Sequence, residues 1–297
     1  MKPYRYLTCD VFTDRVFCGN PLAVLPDARG LTAAQMQAIA REFNHSETTF
    51  VLPPVDPRHT ARVRIFTPGG ELPFAGHPTI GTAFVLATIG AIGADVDEVV
   101  LEEGVGPVPV AIFRDGGCVA RCRLTAAQLP EAGPSPPPAT ALARMLSLAD
   151  GEVLDGSACW SCGTPFLVVP VAGPDALARS ALDQPRWRDQ LGGYATQKVY
   201  PVARIGDLHW RVRMFAPGLG VPEDPATGSA AAAFAGWIAA HASEPRDGTL
   251  AVRIEQGIEM GRPSALALEF DRRGGTIAAV RVGGAAVMVR EGSLRVD

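Results

Sequence analysis

Three ionisable side chains stand where the chain changes from one pattern to another. Glu47 sits between Ser46 and Thr48 at the mouth of the apolar run Phe50-Val51-Leu52, and His45 is the only basic residue close beside it. His77 lies in Gly76-His77-Pro78 and Asp224 in Glu223-Asp224-Pro225, each just ahead of a small, apolar stretch. A carboxylate at the edge of an apolar core is poorly hydrated, so its pKa rises and it becomes a better base near neutrality. That is the equipment for moving a proton to or from carbon. By residue type alone, however, Glu47 reads as a solvated loop carboxylate, as most glutamates are.

The elements that would position these groups are written twice. Arg62-Val63-Arg64-Ile65-Phe66 is answered by Arg211-Val212-Arg213-Met214-Phe215, and after a two-residue gap Gly81-Thr82-Ala83 is answered by Gly228-Ser229-Ala230. The spacing is close to half of the 297 residues. Gly19-Asn20-Pro21 through Pro26 recurs at nearly the same spacing as Gly163-Thr164-Pro165 through Pro170. Two echoes at one spacing argue for two similar domains facing each other. Each copy reads as a half-buried strand, a Pro-Gly break and then a helix whose first turn suits Pro78 or Pro225. The helical runs from Thr79 and from Ala226 have no polar face, so protein should enclose them. An enclosed helix leaves its first N–H groups without partners, and glycine lets an anion approach them. Each turn alone is more simply a helix cap; the repetition, with His77, Glu223 and Asp224 beside it, favours a two-sided anion cradle.

Composition narrows the class. An apolar content of 47% with 20% charged residues is that of a soluble globular protein. A net charge of −4 without a basic run argues against nucleic-acid and anionic-membrane partners. Neither apolar run reaches the roughly 20 residues a bilayer requires. Met1-Lys2-Pro3-Tyr4-Arg5-Tyr6 opens without an apolar signal segment, so a cytoplasmic location is expected. The six cysteines are then expected to be reduced. Cys159-Trp160-Ser161-Cys162 has redox-motif spacing but leads into a strand echo, and it is read as structural. No His or Cys cluster has zinc spacing.

Taken in order, residues 6–13 read as a strand. Asn20 is either a turn residue or a polar lining of the site. Thr32 and Gln35 form a capping box for a helix with the stripe Met36, Ile39, Ala40, Phe43, ending near Asn44. Strands are expected over 99–124 around a Gly-Val-Gly-Pro turn. Glu131 to Pro138 reads as a stiff linker, and 140–148 as a helix. Strands follow at 151–155 and 165–171, with a helix near 174–180. Strands are also expected over 249–256, 264–271, 276–282 and 285–295, with Gln256-Gly257 as a turn. The domains are set at 1–130, completed by 285–297, and at 131–284.

Ser46-Glu47-Thr48-Thr49-Phe50, Gly76-His77-Pro78-Thr79-Ile80-Gly81 and Glu223-Asp224-Pro225-Ala226-Thr227-Gly228-Ser229 together resemble the PhzF-like proteins of phenazine biosynthesis, and Gly19-Asn20-Pro21-Leu22-Ala23-Val24 fits as well. The resemblance implies the α+β fold of diaminopimelate epimerase. That fold has two pseudo-symmetric domains, each a mixed β-sheet wrapped around a central apolar helix, with the active site in the cleft between them. It also implies a homodimer, no metal and no organic cofactor. The family's phenazine enzyme isomerises a dihydro-hydroxyanthranilate by moving a proton between ring carbons. Carried over, Glu47 is the catalytic glutamate, and His77, Asp224 and Ser229 line the site and assist, with either His77 or Asp224 as relay. The N–H groups of Gly76, His77, Gly228 and Ser229 would hold a substrate carboxylate. The related epimerases place a cysteine at each helix start; here Ala75 and Pro225 stand in those places, against a two-thiol mechanism.

The leading expectation is therefore a cofactor-independent isomerase acting on a small carboxylate-bearing substrate. An epimerase or lyase using the same cleft, or a non-catalytic metabolite- or protein-binding member, are the alternatives. The joint presence of Glu47, His77 and Asp224 weighs against the last, which fold alone would not do.

Overall fold

The computed structural model describes residues 2–241 and 247–297. The chain divides into two compact units, one made of residues up to Ala127 with Val282–Asp297, the other of Gln128–Arg281. The first unit contains β1 (Lys2–Val11), β2 (Asn20–Leu25), α1 (Ala33–Phe43), β3 (Glu47–Leu52), β4 (Ala61–Phe66), β5 (Glu71–Leu72), α2 (Gly76–Thr88), β6 (Glu98–Glu103), β7 (Gly106–Asp115) and β8 (Cys118–Thr125). The chain continues through β9 (Glu131–Ala132), α3 (Ala139–Met145), β10 (Ala158–Ser161), β11 (Pro165–Pro170), α4 (Pro174–Arg179), α5 (Gln184–Leu191), β12 (Val199–Gly206), β13 (His209–Val212), α6 (Gly228–His241), β14 (Gly248–Gln256), β15 (Ser264–Arg273) and β16 (Thr276–Gly284). The last strand, β17 (Ala286–Val296), pairs antiparallel with β1 along its length and so belongs to the first unit's sheet.

The duplication is a repeated strand order. In the first unit β2 and β3 are parallel, β3 and β4 antiparallel, β4 and β6 parallel, and β6 and β7 antiparallel. In the second, β11 and β12, β12 and β13, β13 and β14, and β14 and β15 repeat that alternation. Registers match as well: Arg62 lies beside Glu102, and Arg211 beside Glu255. Each unit is thus a mixed sheet around one helix. α2 packs on β1, β2, β3, β7, β8 and β17, and α6 on β9, β10, β11 and β15. Every residue of α2 from Gly76 to Leu86 and of α6 from Gly228 to Ile238 is buried. Side chains such as Phe84, Leu86, Phe234 and Ile238 each add about 1.5–3 kcal/mol by leaving water. A satellite core in the first unit joins α1 to Phe50 and Phe66, whose rings meet edge to face at 5.4 Å.

Local expectations fare unevenly. The Thr32–Gln35 capping box closes in both directions, and α1 stops at Asn44 in the left-handed conformation. Pro78 lies in the first turn of α2, but Pro225 lies outside α6, which begins at Gly228. Residues 151–155 form no strand; only a bridge from Val153 to Val171 remains. The proline-rich stretch is no free linker, because Glu131 and Ala132 pair with Ser161 and Trp160, and the Tyr194 hydroxyl donates to the Pro134 carbonyl. Among the described residues, no helix is long and apolar enough to cross a membrane.

Each enclosed helix carries a glycine where it meets its own unit. A Cβ on Gly81 would come within 2.5 Å of Leu22 Cδ2 and 2.7 Å of Val11 Cγ2; one on Gly236 would run into the Trp160 ring and Pro130. Gly81 is therefore there for close packing rather than for an approaching anion. Gly81→Ala and Gly236→Ala should each destabilise by about 1–3 kcal/mol through overpacking, although alanine is the better helix former by about 1 kcal/mol. Denaturant midpoints check this, and a raised midpoint for either variant would contradict the packing.

Candidate active site

In the first unit the fold gathers Asn20, Glu47, His77 and Gly76. Asn20 opens β2, Glu47 opens β3, and these strands run parallel with Leu22 beside Glu47. Gly76 and His77 open α2, directly after the extended Ala75. Asn20 is thus a strand residue and not a turn. Its side chain is fully buried, and its amide nitrogen lies 3.1 Å from His77 Nδ1. Which of the two donates depends on which ring nitrogen carries the proton. His77 Nε2 lies 3.5 Å from Glu47 Oε2. That distance would suit an ion pair if the ring were charged, but His77 is only 3% exposed. Burial pushes its pKa down from 6.5 to about 3, His45 adds to the fall, and a contact with the Pro21 carbonyl opposes it. The pair is a carboxyl group facing a neutral imidazole at more than hydrogen-bond length.

The second unit gathers Asp224, Thr227, Gly228, Ser229 and Gln256. Asp224 precedes α6, and its backbone N–H donates to the Met214 carbonyl at 2.9 Å. Its carboxylate accepts from the Thr227 hydroxyl at 2.6 Å. Gln256, the last residue of β14, donates from Nε2 to the Asp224 carbonyl and to Thr227 Oγ1 at 2.7 and 3.0 Å, while its Oε1 accepts from the Thr227 N–H at 3.1 Å. Gly228 and Ser229 are the first residues of α6 and are buried. Gln256 was read as a turn residue; it is the side chain that holds Asp224 and Thr227 in place. Glu223 turns away from this group and forms a two-pronged pair with Arg213, at 2.8 Å for each contact.

The cysteines offer little chemistry. Cys9 is buried, with Sγ 4.0 Å from the Gly81 carbonyl oxygen, and burial pushes its thiol far up. Cys162 donates to the Gln128 carbonyl at 2.8 Å, and burial pushes it up to about 12; Cys159 is raised for the same reason. Such thiols are poor nucleophiles. Among the described residues, no three His, Cys, Asp or Glu side chains converge to hold a metal ion.

A strand–helix unit written twice, with an imidazole and carboxylates at the entries to its enclosed helices, defines an α+β protein of two similar units. A model of the phenazine biosynthesis-like (PhzC-PhzF) family matches residues 9–292. The chain is 47% identical to an uncharacterized isomerase of Mesorhizobium japonicum, with 99% of each chain covered. It is 37% identical to the trans-2,3-dihydro-3-hydroxyanthranilate isomerase of Pseudomonas aeruginosa, over 97% of this chain and 98% of that one. The crystal structure of a PhzF-family protein from Bacillus anthracis superimposes with a TM-score of 0.89 at 24% identity, over the whole of both chains. The chain belongs to the PhzF-like family and is an isomerase.

Because the native pKa of His77 lies below 6.5, this group's contribution to stability is full above that pH and is lost as pH falls from there towards about 3. The His77 ring resonances should stay those of the neutral imidazole from pH 8 down to about pH 5 in an NMR titration. A midpoint near 6.5 would mean that the ring is hydrated and that its buried placement is wrong.

Proposed function

We propose that this isomerase moves a proton between carbons of a small carboxylate-bearing substrate of the dihydro-hydroxyanthranilate type, without an organic cofactor, and that Glu47 is the base. The observation that carries the proposal is the Glu47 carboxyl group facing the buried, neutral imidazole of His77 at 3.5 Å. Glu47 takes the proton from one carbon, the electron pair enters the conjugated system, and the Glu47 carboxylic acid returns the proton to the far carbon. Negative charge builds up on the substrate between these steps. Preorganised donors in a poorly hydrated site stabilise such charge, typically by several kcal/mol. The first-turn N–H groups of Gly76 and His77 in α2, and of Gly228 and Ser229 in α6, are donors for which a helix supplies no carbonyl.

A neutral imidazole with a pKa near 3 is not a general acid at pH 7, so His77 serves as a fixed donor and orients Glu47 or the substrate. Asp224, held by Thr227 and Gln256, is then the group that meets the substrate's amine or hydroxyl. The relative at 37% identity is named for trans-2,3-dihydro-3-hydroxyanthranilate, whereas the name of the relative at 47% carries no substrate, so the proposal commits to the chemical class. A two-thiol racemase reading is disfavoured because Ala75 stands ahead of α2 and Pro225 ahead of α6.

The test is incubation with dihydro-hydroxyanthranilate and related carboxylates in deuterated water, following label at carbon by NMR. Glu47→Gln should slow exchange at least about a hundredfold and leave the circular dichroism spectrum unchanged. Exchange at the wild-type rate in that variant would remove Glu47 from the mechanism. Asp224→Asn should mainly raise the substrate concentration needed for half-maximal rate.

A further inference from the structure

Glu103, the last residue of β6, reaches the first turn of α2 from within the first unit. It is 9% exposed. Its Oε1 lies 2.6 Å from Thr79 Oγ1, and its Oε2 is buried without a hydrogen-bond partner among the described residues. The same Thr79 hydroxyl lies 2.8 Å from the carbonyl oxygen of Ala75, the residue that precedes α2. A carbonyl only accepts, an ionised carboxylate only accepts, and a threonine hydroxyl has one proton. Two acceptors cannot each hold that proton at these lengths. Both contacts are satisfied when Glu103 carries a proton of its own: it donates to Thr79, and Thr79 donates to Ala75.

The second unit contains a related arrangement with a side chain that cannot ionise, its threonine standing one position later than the counterpart of Thr79 and bonding a carboxylate instead of a main-chain carbonyl. Glu102 and Glu255 occupy matching register positions beside Arg62 and Arg211, so Glu103 and Gln256 are equivalent. Gln256 donates to the Thr227 hydroxyl, which donates onward to Asp224 at the start of α6. Glycine follows in both places, seated against the segment that leads into the helix. A Cβ on Gly104 would lie 2.8 Å from Pro73 Cα, and one on Gly257 would lie 2.6 Å from the Pro225 carbonyl oxygen. A permanent amide donor in one copy marks the position as one that requires a donor.

We propose that Glu103 is a neutral carboxylic acid in the working protein, that its proton sets the first turn of α2, and that it is thereby a positioning residue for His77. Its part in catalysis rests on the reading of Glu47 and His77 given above; its protonation does not. The elements packed around it bring no counter-charge. The titratable group of α2 is His77, which burial keeps neutral. On β4, Arg62 lies beside Glu102 and Arg64 pairs with Glu71 of β5. On β6 itself, Glu98 stands at the opposite end, and Glu102 is bound to His59 and to the N–H groups of Val55 and Asp56. On β7, Arg114 and Asp115 stand at the end opposite Gly106. Burial accordingly pushes the Glu103 carboxyl up from 4.5 to about 8, against the pull of a bond from Thr79.

A native pKa above the unfolded value means that this group's contribution is full below pH 4.5 and is lost as pH climbs through about 8. The folded-to-unfolded ratio of the wild type relative to Glu103→Gln should therefore fall by roughly tenfold or more between pH 6 and pH 9. The Glu103 carboxyl carbon resonance, assigned by its absence in that variant, should sit at the protonated position at pH 7. In the exchange assay, Glu103→Ala should lose about tenfold or more in rate, Glu103→Gln should restore it, and only the wild type should decline above about pH 8. An ionised resonance at pH 7, or a stability ratio flat with pH, overturns the proposal even if no substrate is turned over. A protonated resonance with the same alkaline decline in Glu103→Gln overturns the positioning role alone.

Discussion

A helix with no polar face must be covered on every side, and both units are built to meet that requirement. A flat sheet would cover one face of α2; a sheet that mixes parallel and antiparallel neighbours and recruits the distant strand β17 covers the rest. The same enclosure creates the chemistry. The first N–H groups of a helix have no carbonyl to bind, so the start of an enclosed helix is a donor surface with little water. Whatever side chain stands there is desolvated too. The neutrality of His77 follows from where α2 begins, with Asn20 holding its ring from the side of Nδ1.

In the proposed reaction, that setting separates two roles within one unit. His77 sits inside the first turn and is locked by its neighbour, so it changes protonation only with difficulty. Glu47 stands at the end of a parallel strand, with its side chain 14% exposed against 4% for that of His77. A group that must exchange protons needs access, and a group that must hold geometry needs burial. The difference in environment, more than the identity of either residue, divides the labour.

How much of this was legible from residues alone depended on the range of the interaction. α1 could be read because a capping box and a 3.6-residue stripe are local signals. α2 and α6 could be read because being apolar all round is itself a pattern. The helix Gln184–Leu191 was not anticipated: it is polar, and only Trp187 and Leu191 face the core. Residues 151–155 resembled a strand, yet their one pairing is a single bridge. The prolines after Glu131 looked like a linker because stiffness is legible and attachment is not. At the site, Glu47 could not be told from a solvated carboxylate, because its partner lies on another element and is set by strand register. Gln256, beside Gly257, carries only the local signal of a turn. Its meaning emerges only beside Glu103, when the two copies are laid on one another.

The duplication shows which positions carry chemistry, because both copies keep one backbone plan. Where the copies agree, the residues serve structure. Arg62-Val63-Arg64 and Arg211-Val212-Arg213 build the strand, Gly104 and Gly257 let it approach the helix entry, and Pro78 and Pro225 shape that entry. Where they disagree, the chemistry of the side chains differs. His77 in one copy answers Asp224 in the other, Glu103 answers Gln256, and Glu47 answers Lys198, the residue ahead of the Val199–Leu167 pair. Glu47, the base of the proposed reaction, is thus answered by an amine in the second unit, and the neutral imidazole of His77 by a carboxylate, so one backbone plan carries two different sets of polar groups.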